Sequence, residues 1–123
     1  MTKKLIIPIA VCMLALLVAS SGRAGATKDS FDLKGEVYPN FKIEMKNSAN
    51  RPLAKIAAGV HTIKIEDKSS IHNFHLVGPG VNKSTSVAGT GERVWTVRLR
   101  AGKYTYFCDP HSSEMRGSFR VTG

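Results

Sequence analysis

The sequence predicts an all-β protein, a sandwich or a barrel of short strands. Three observations carry that expectation. Apolar and polar residues alternate with a period of two in several short runs. Clusters of Gly, Pro, Asn and Ser punctuate those runs at close spacing. Beyond residue 26, no segment holds the 3.6-residue apolar period of an amphipathic helix over a useful length.

The 123 residues suffice for one domain with a modest core. Residues 1–26 read as a secretory signal. Lys3 and Lys4 open it, Leu5 to Val18 is an apolar run interrupted only by Pro8, and Ala24-Gly25-Ala26 is a small-x-small cleavage pattern. The run is short for a membrane span of about 20 residues. Cys12 lies inside the run rather than at its end, which is the wrong place for a lipid acceptor. The expected product is exported, secreted or periplasmic, with no stable membrane insertion after cleavage.

Residues 27–40 form a polar N-terminal segment. Phe31, Leu33 and Val37 within it suggest an edge strand. Residues 41–123 form the domain proper. Phe41, Ile43 and Met45 alternate with Lys42, Glu44 and Lys46 as a half-buried strand, and Asn47 to Asn50 turn it. Pro52 to Ala57 reads as extended and irregular. His61, Ile63 and Ile65 alternate with Thr62, Lys64 and Glu66 in a second strand, broken at Asp67 to Ser70. Ile71 to Val77 reads as a short strand ended by Gly78-Pro79-Gly80, and Val81 to Gly91 as loop. Trp95, Val97 and Leu99 mark the next strand. Tyr104, Tyr106 and Cys108 share one face of another, and Phe119 and Val121 mark the last.

The formal net charge is +9, and residues 1–26 contribute Lys3, Lys4 and Arg23 without an acid, leaving +6 for the remainder. That charge favours acidic partners. The basic residues are scattered along strands with no Lys/Arg cluster, so nucleic-acid binding is not expected. Signal removal leaves Cys108 as the single cysteine. A lone thiol in an oxidising compartment is a liability unless something occupies it.

Cys108, His111 and Met115 supply that occupation. Cys108 ends a strand, Pro110 tightens the chain, and the loop returns His111 and Met115 toward the same volume. Thiolate and thioether are soft ligands and imidazole is intermediate, a set suited to copper cycling between two oxidation states. A trigonal site of two His and one Cys with a long axial Met needs one further His. His72 and His75 both offer it. They are three residues apart, so on a strand they face opposite sides and only one can point at the ion. His61, alone on its strand, reads as a core or surface residue.

His72-Asn73-Phe74-His75 and Cys108-Asp109-Pro110-His111-Ser112-Ser113-Glu114-Met115 resemble the two ligand segments of the small blue copper proteins, the cupredoxins, in their plastocyanin- and amicyanin-like form. The resemblance spans roughly Phe41 to Val121. It implies a Greek-key β-sandwich, one type 1 copper ion, and single-electron transfer between redox partners. It also implies His72, Cys108, His111 and Met115 as the ligands, the His-Asn pair singling out His72.

Four protein ligands leave no open position for substrate, and no nucleophile–base pair lies near the motif, so no enzymatic activity is expected. The expected partners are redox proteins with an acidic docking surface, met by a monomer. Copper carriage without electron transfer would use the same residues, and zinc accepts Cys and His as well. Asn73 is expected to brace the loop through Asp109. Electrons are expected to pass at His111, with Pro110, Pro79 and Gly78 as an apolar rim.

Overall fold

The computed structural model describes residues 30–123. The signal expected over residues 1–26 lies outside the described residues. Nine strands follow in order: β1 (Leu33–Tyr38), β2 (Lys42–Asn47), β3 (Lys55–Ala57), β4 (Gly59–Asp67), β5 (His75–Gly78), β6 (Val81–Ser84), β7 (Gly91–Leu99), β8 (Gly102–Phe107) and β9 (Arg116–Thr122). One 3₁₀ turn, Asp109–His111, is the helical element among the described residues. The strands form two sheets, ordered β2-β1-β4-β7 and β3-β9-β8-β5-β6. Both are mixed, because β1 runs parallel to β4 and β3 parallel to β9. The fold is a Greek-key β-sandwich.

Alternation builds the core. Ile63 and Ile65 from β4, Val97 and Leu99 from β7, and Tyr104 and Tyr106 from β8 all turn inward and are buried. Phe74 is fully buried between the sheets, stacked on Tyr106 at 5.6 Å and edge-on to Trp95 at 6.3 Å. Burying such a ring is worth about 1.5–3 kcal/mol. Gly35 makes room for it, since a Cβ there would lie 2.7 Å from the Phe74 ring.

The structure corrects three local expectations. The strand expected at an edge is interior, because β1 pairs with β2 on one side and β4 on the other. Its charged residues do not mark a free edge. Glu36 is buried on the outer face beneath Lys34, Lys46 and Lys68, with Lys46 Nζ at 2.6 Å. Residues 71–74 are not strand, and β5 starts only at His75. That short irregular run lets His72, Asn73 and Phe74 all be buried in succession, which an alternating strand forbids. Finally, the expected loop from Val81 opens with β6, which pairs with β5 as a hairpin.

Candidate metal centre

Three connections converge at one end of the sandwich: the β1–β2 turn, the segment before β5, and the loop between β8 and β9. The last is closed at its base. The Cys108 N–H donates to Met115 O at 3.0 Å, and the Met115 N–H donates back to His111 O at 2.8 Å. Pro110 sits in the first turn of the 3₁₀ segment, where its fixed φ suits the tight bend and its missing N–H costs nothing. Cys108 and Met115 are fully buried and His111 is partly exposed.

His72 Nδ1 lies 3.0 Å from His111 Nδ1, and Cys108 Sγ lies 3.6 and 3.8 Å from those two nitrogens. The three donor atoms fall within 4.8 Å of one another. These are the separations spanned by ligands sharing one ion at about 2.0–2.3 Å. Two imidazole nitrogens at that distance repel unless a proton or a cation lies between them. His72 Nε2, on the far side of its ring, is buried without a hydrogen-bond partner. The donor set and the facing nitrogens fit copper.

Of the two upstream histidines, only His72 joins this cluster. His75 turns away, with Nδ1 2.7 Å from Asp109 Oδ1 and Nε2 2.6 Å from Asn82 Oδ1. Burial alone would pull its pKa down, but the bonds to Asp109 and Asn82 outweigh burial and hold it above the ordinary histidine value. His61 is also elsewhere, bonded to Asp32 and to Ala57 O.

Asn73 ties the two ligand segments together. Its Nδ2 donates to Asp109 Oδ2 at 2.7 Å and to Thr85 O at 3.1 Å, while Asp109 N–H donates to Asn73 Oδ1 at 2.8 Å. Burial would raise the Asp109 pKa, yet His75 and Asn73 hold it below the usual carboxylate range. The chain Asn82–His75–Asp109–Asn73–Thr85 thus fixes the loop from the side.

Phe41 is a site neighbour that the sequence did not disclose. It follows Pro39-Asn40 in the β1–β2 turn with φ +61°, a rare conformation for a bulky residue. Its ring lies edge-on to both imidazoles, 4.9 Å from His72 and 4.8 Å from His111 by ring centroids, yet remains 48 % exposed. The alternation with Ile43 and Met45 made it look like a strand residue. The Pro-Asn pair before it was the available sign of a turn.

The expected rim is also corrected. Gly78 and Pro79 lie at the opposite end, because β5 begins at the site with His75 paired to Phe107 and runs away from it. Pro79 O accepts a bond from the Tyr104 hydroxyl there. Phe41 takes their place beside His111, and Ile71, next to His72, is 55 % exposed.

A two-sheet sandwich that gathers two imidazoles and a thiol at one end, with a buried thioether in the same loop, defines a cupredoxin, a blue copper protein. The chain belongs to the copper binding proteins of the plastocyanin/azurin family, which it matches over residues 33–122. Its cofactor is copper. Reduced rusticyanin is similar in fold at 20 % identity and a TM-score of 0.56, covering 73 % of this chain and 77 % of its own. Rusticyanin from Thiobacillus ferrooxidans gives 18 %, 0.53, 73 % and 75 % for the same quantities. An oxidised amicyanin mutant gives 19 %, 0.50, 74 % and 82 %. No curated protein matches the sequence.

Proposed function

We propose that this protein is an exported carrier of single electrons, holding one copper ion through His72, Cys108, His111 and Met115. The observation that carries the reading is the triangle of His72 Nδ1, His111 Nδ1 and Cys108 Sγ with edges of 3.0, 3.6 and 3.8 Å. Bound copper supplies one-electron cycling between its two oxidation states. The chain's part is to hold the donors still. The Asn73–Asp109 bonds fix Cys108 and His111 against His72, so little rearrangement accompanies a change of charge. Met115 is fully buried in the closed loop and would offer its thioether as a further soft donor to the ion.

Exchange is assigned to the end of the sandwich bearing His111. Its ring is partly exposed beside Phe41, with Ile71 adding exposed apolar surface next to His72. The excess positive charge steers acidic redox partners toward the molecule, and salt screens that steering. The apolar signal-like segment over residues 1–26 supports export. No helix among the described residues is long and apolar enough to cross a membrane. Four protein ligands leave no position for a substrate, which favours a carrier over an enzyme.

The test is reconstitution of the purified protein with Cu(II). An intense visible charge-transfer band with reversible reduction is expected, as is exchange with an acidic redox protein that slows as ionic strength rises. A colourless or redox-inert complex would overturn the reading in favour of a zinc site. Quantitative copper transfer to an apo-acceptor, without electron exchange, would favour copper carriage.

A further inference from the structure

The two sheets carry their charges differently. On the outer face of the first sheet, cations and acids pair. Lys34 and Lys46 lie 3.3 and 2.6 Å from Glu36, and Lys64 lies 3.0 Å from Glu92. The five strands of the second sheet contain no aspartate or glutamate. Lys103, Arg116 and Arg120 alternate there with the buried Tyr104, Phe119 and Val121, and so point outward, as does Lys55 beside Arg120. All four are exposed, and none forms an ion pair among the described residues. Arg116, at the site end, lies over the Phe107 ring at 5.9 Å.

The other three form one row across the sheet, since Arg120 pairs with Lys55 of β3 on one side and Lys103 of β8 on the other. Neighbouring strands lie about 4.8 Å apart, and like charges directly opposite one another destabilise a sheet. Protection of a free edge accounts for Lys55, because β3 is an edge strand. It does not account for Arg120 and Lys103, because β9 and β8 are interior. The row borders an open hollow of about 380 Å³, where Lys103, Ser118 and Arg120 leave room for a phosphate group. Its neighbours Ala54, Ala57, Thr105, Ser118 and Thr122 are small or hydroxylic.

We propose that the outer face of the second sheet is a peripheral docking surface for an anionic phospholipid bilayer, with Lys55, Lys103 and Arg120 contacting headgroup phosphates. A protein partner would need a desolvated aromatic or large apolar anchor near the centre of the patch, and the row offers none. A charged bilayer needs no anchor, since it attracts each Lys or Arg near its surface. Distance also disfavours a redox partner here. Lys103 precedes Cys108 by five residues of extended chain, about 17 Å. Attachment through this face is electrostatic, without insertion, and leaves the end bearing His111 open to soluble partners. It does not depend on the copper assignment.

The experiment sediments the exported protein with vesicles of phosphatidylglycerol and phosphatidylcholine, and with phosphatidylcholine alone, at low and high salt. Wild type is compared with Arg120→Gln, with the triple variant Lys55→Gln/Lys103→Gln/Arg120→Gln, and with Arg98→Gln. Arg98 is an exposed cation of the first sheet, so Arg98→Gln changes net charge as Arg120→Gln does. Binding to the anionic vesicles alone is expected, and salt should weaken it. Arg120→Gln should weaken it about fivefold and the triple variant about 100-fold, while Arg98→Gln stays near wild type. Circular dichroism checks that each variant is folded, and should the triple variant fail, Arg120→Gln against Arg98→Gln still decides. No binding to anionic vesicles, or equal weakening by Arg98→Gln and Arg120→Gln, would overturn the proposal. Binding that survives both high salt and the triple variant would place the attachment on residues 1–26 and overturn it as well. Unbound vesicles, together with slower exchange of the triple variant with an acidic haem protein, would give the face to a redox partner instead.

Discussion

The two ends of the sandwich are closed by different means. At the end away from the site, one side chain does most of the closing. Tyr104 is fully buried, stacked on Phe119 at 5.4 Å, and its hydroxyl lies 3.0 Å from Arg100 N, Arg100 O and Pro79 O. Gly78 lies flat against that ring. At the other end, polar side chains cross-link the loops through Asn73, Asp109 and His75. Three donor atoms there face one another within 4.8 Å. The first arrangement satisfies its polar groups internally. The second satisfies the supports and leaves the donors for an ion. Stability and function are therefore expected to separate along the long axis of the molecule.

The largest effect is expected at Cys108. Cys108→Ser removes the thiolate that gives a charge-transfer band its intensity, so the visible band should vanish completely. The change is nearly isosteric and leaves the Cys108 N–H bond to Met115 O in place, so circular dichroism should show a folded protein. A coloured variant would remove Cys108 from the site.

The loop that contains Cys108 was readable because its information is local. Three chemically distinct residues at fixed spacing, between two alternating strands, needed no knowledge of the fold. β2, β4, β7, β8 and β9 were readable for the same reason, each having one wet face and one dry face. β1 was readable as a strand but not as an interior one, because Glu36 is charged yet buried under three lysines, and its burial depends on β2 and β4 being in place. Which end of the sandwich holds Pro79 was equally hidden. It depends on the pairing of β5 with β8, a contact between residues some thirty apart. Phe41 belongs with these, since it reaches the site through a turn rather than through a periodic pattern.

Glu36 lies between the two ends and offers a pH test of their separation. Burial would raise its pKa, but Lys46, Tyr38 and Lys34 bring it from 4.5 down to about 2. A depressed carboxylate stabilises the fold fully above pH 4.5 and loses that contribution as pH falls toward 2. Linkage puts the contribution at about 3 kcal/mol. Glu36→Gln should therefore lower denaturant stability at pH 7 and flatten its decline between pH 4.5 and 2. The copper band at pH 7 should not move. A spectral shift would show that the outer face and the site are coupled.

At the far end, Gly78→Ala should cost about 1–3 kcal/mol, because its Cβ would clash with the Tyr104 ring. Thermal unfolding should record the loss while spectrum and potential stay at wild-type values. A changed potential would break the comparison, since no polar contact joins Tyr104 to the ligand segments. A charged residue at Pro79 should likewise leave electron exchange unchanged.

The smallest effect is expected at Pro110, within the ligand loop itself. Proline has no N–H, so this position cannot donate to the Cys108 sulfur two residues before it. The tight 3₁₀ turn, anchored by His111 N–H donating to Cys108 O at 3.2 Å, brings the position 110 nitrogen back toward Cys108. Pro110→Ala supplies the missing donor. A bond to thiolate stabilises the electron-rich sulfur and weakens its donation to the metal, which favours copper(I). The potential should rise by the equivalent of about 1 kcal/mol or less, the worth of one weak hydrogen bond. The Asn73–Asp109 bonds should hold the loop in place, so the band should keep its intensity and shift only slightly. Voltammetry on the variant, with a structure confirming the loop, decides the matter. An unchanged or lower potential in an intact loop would show that this position does not tune the sulfur.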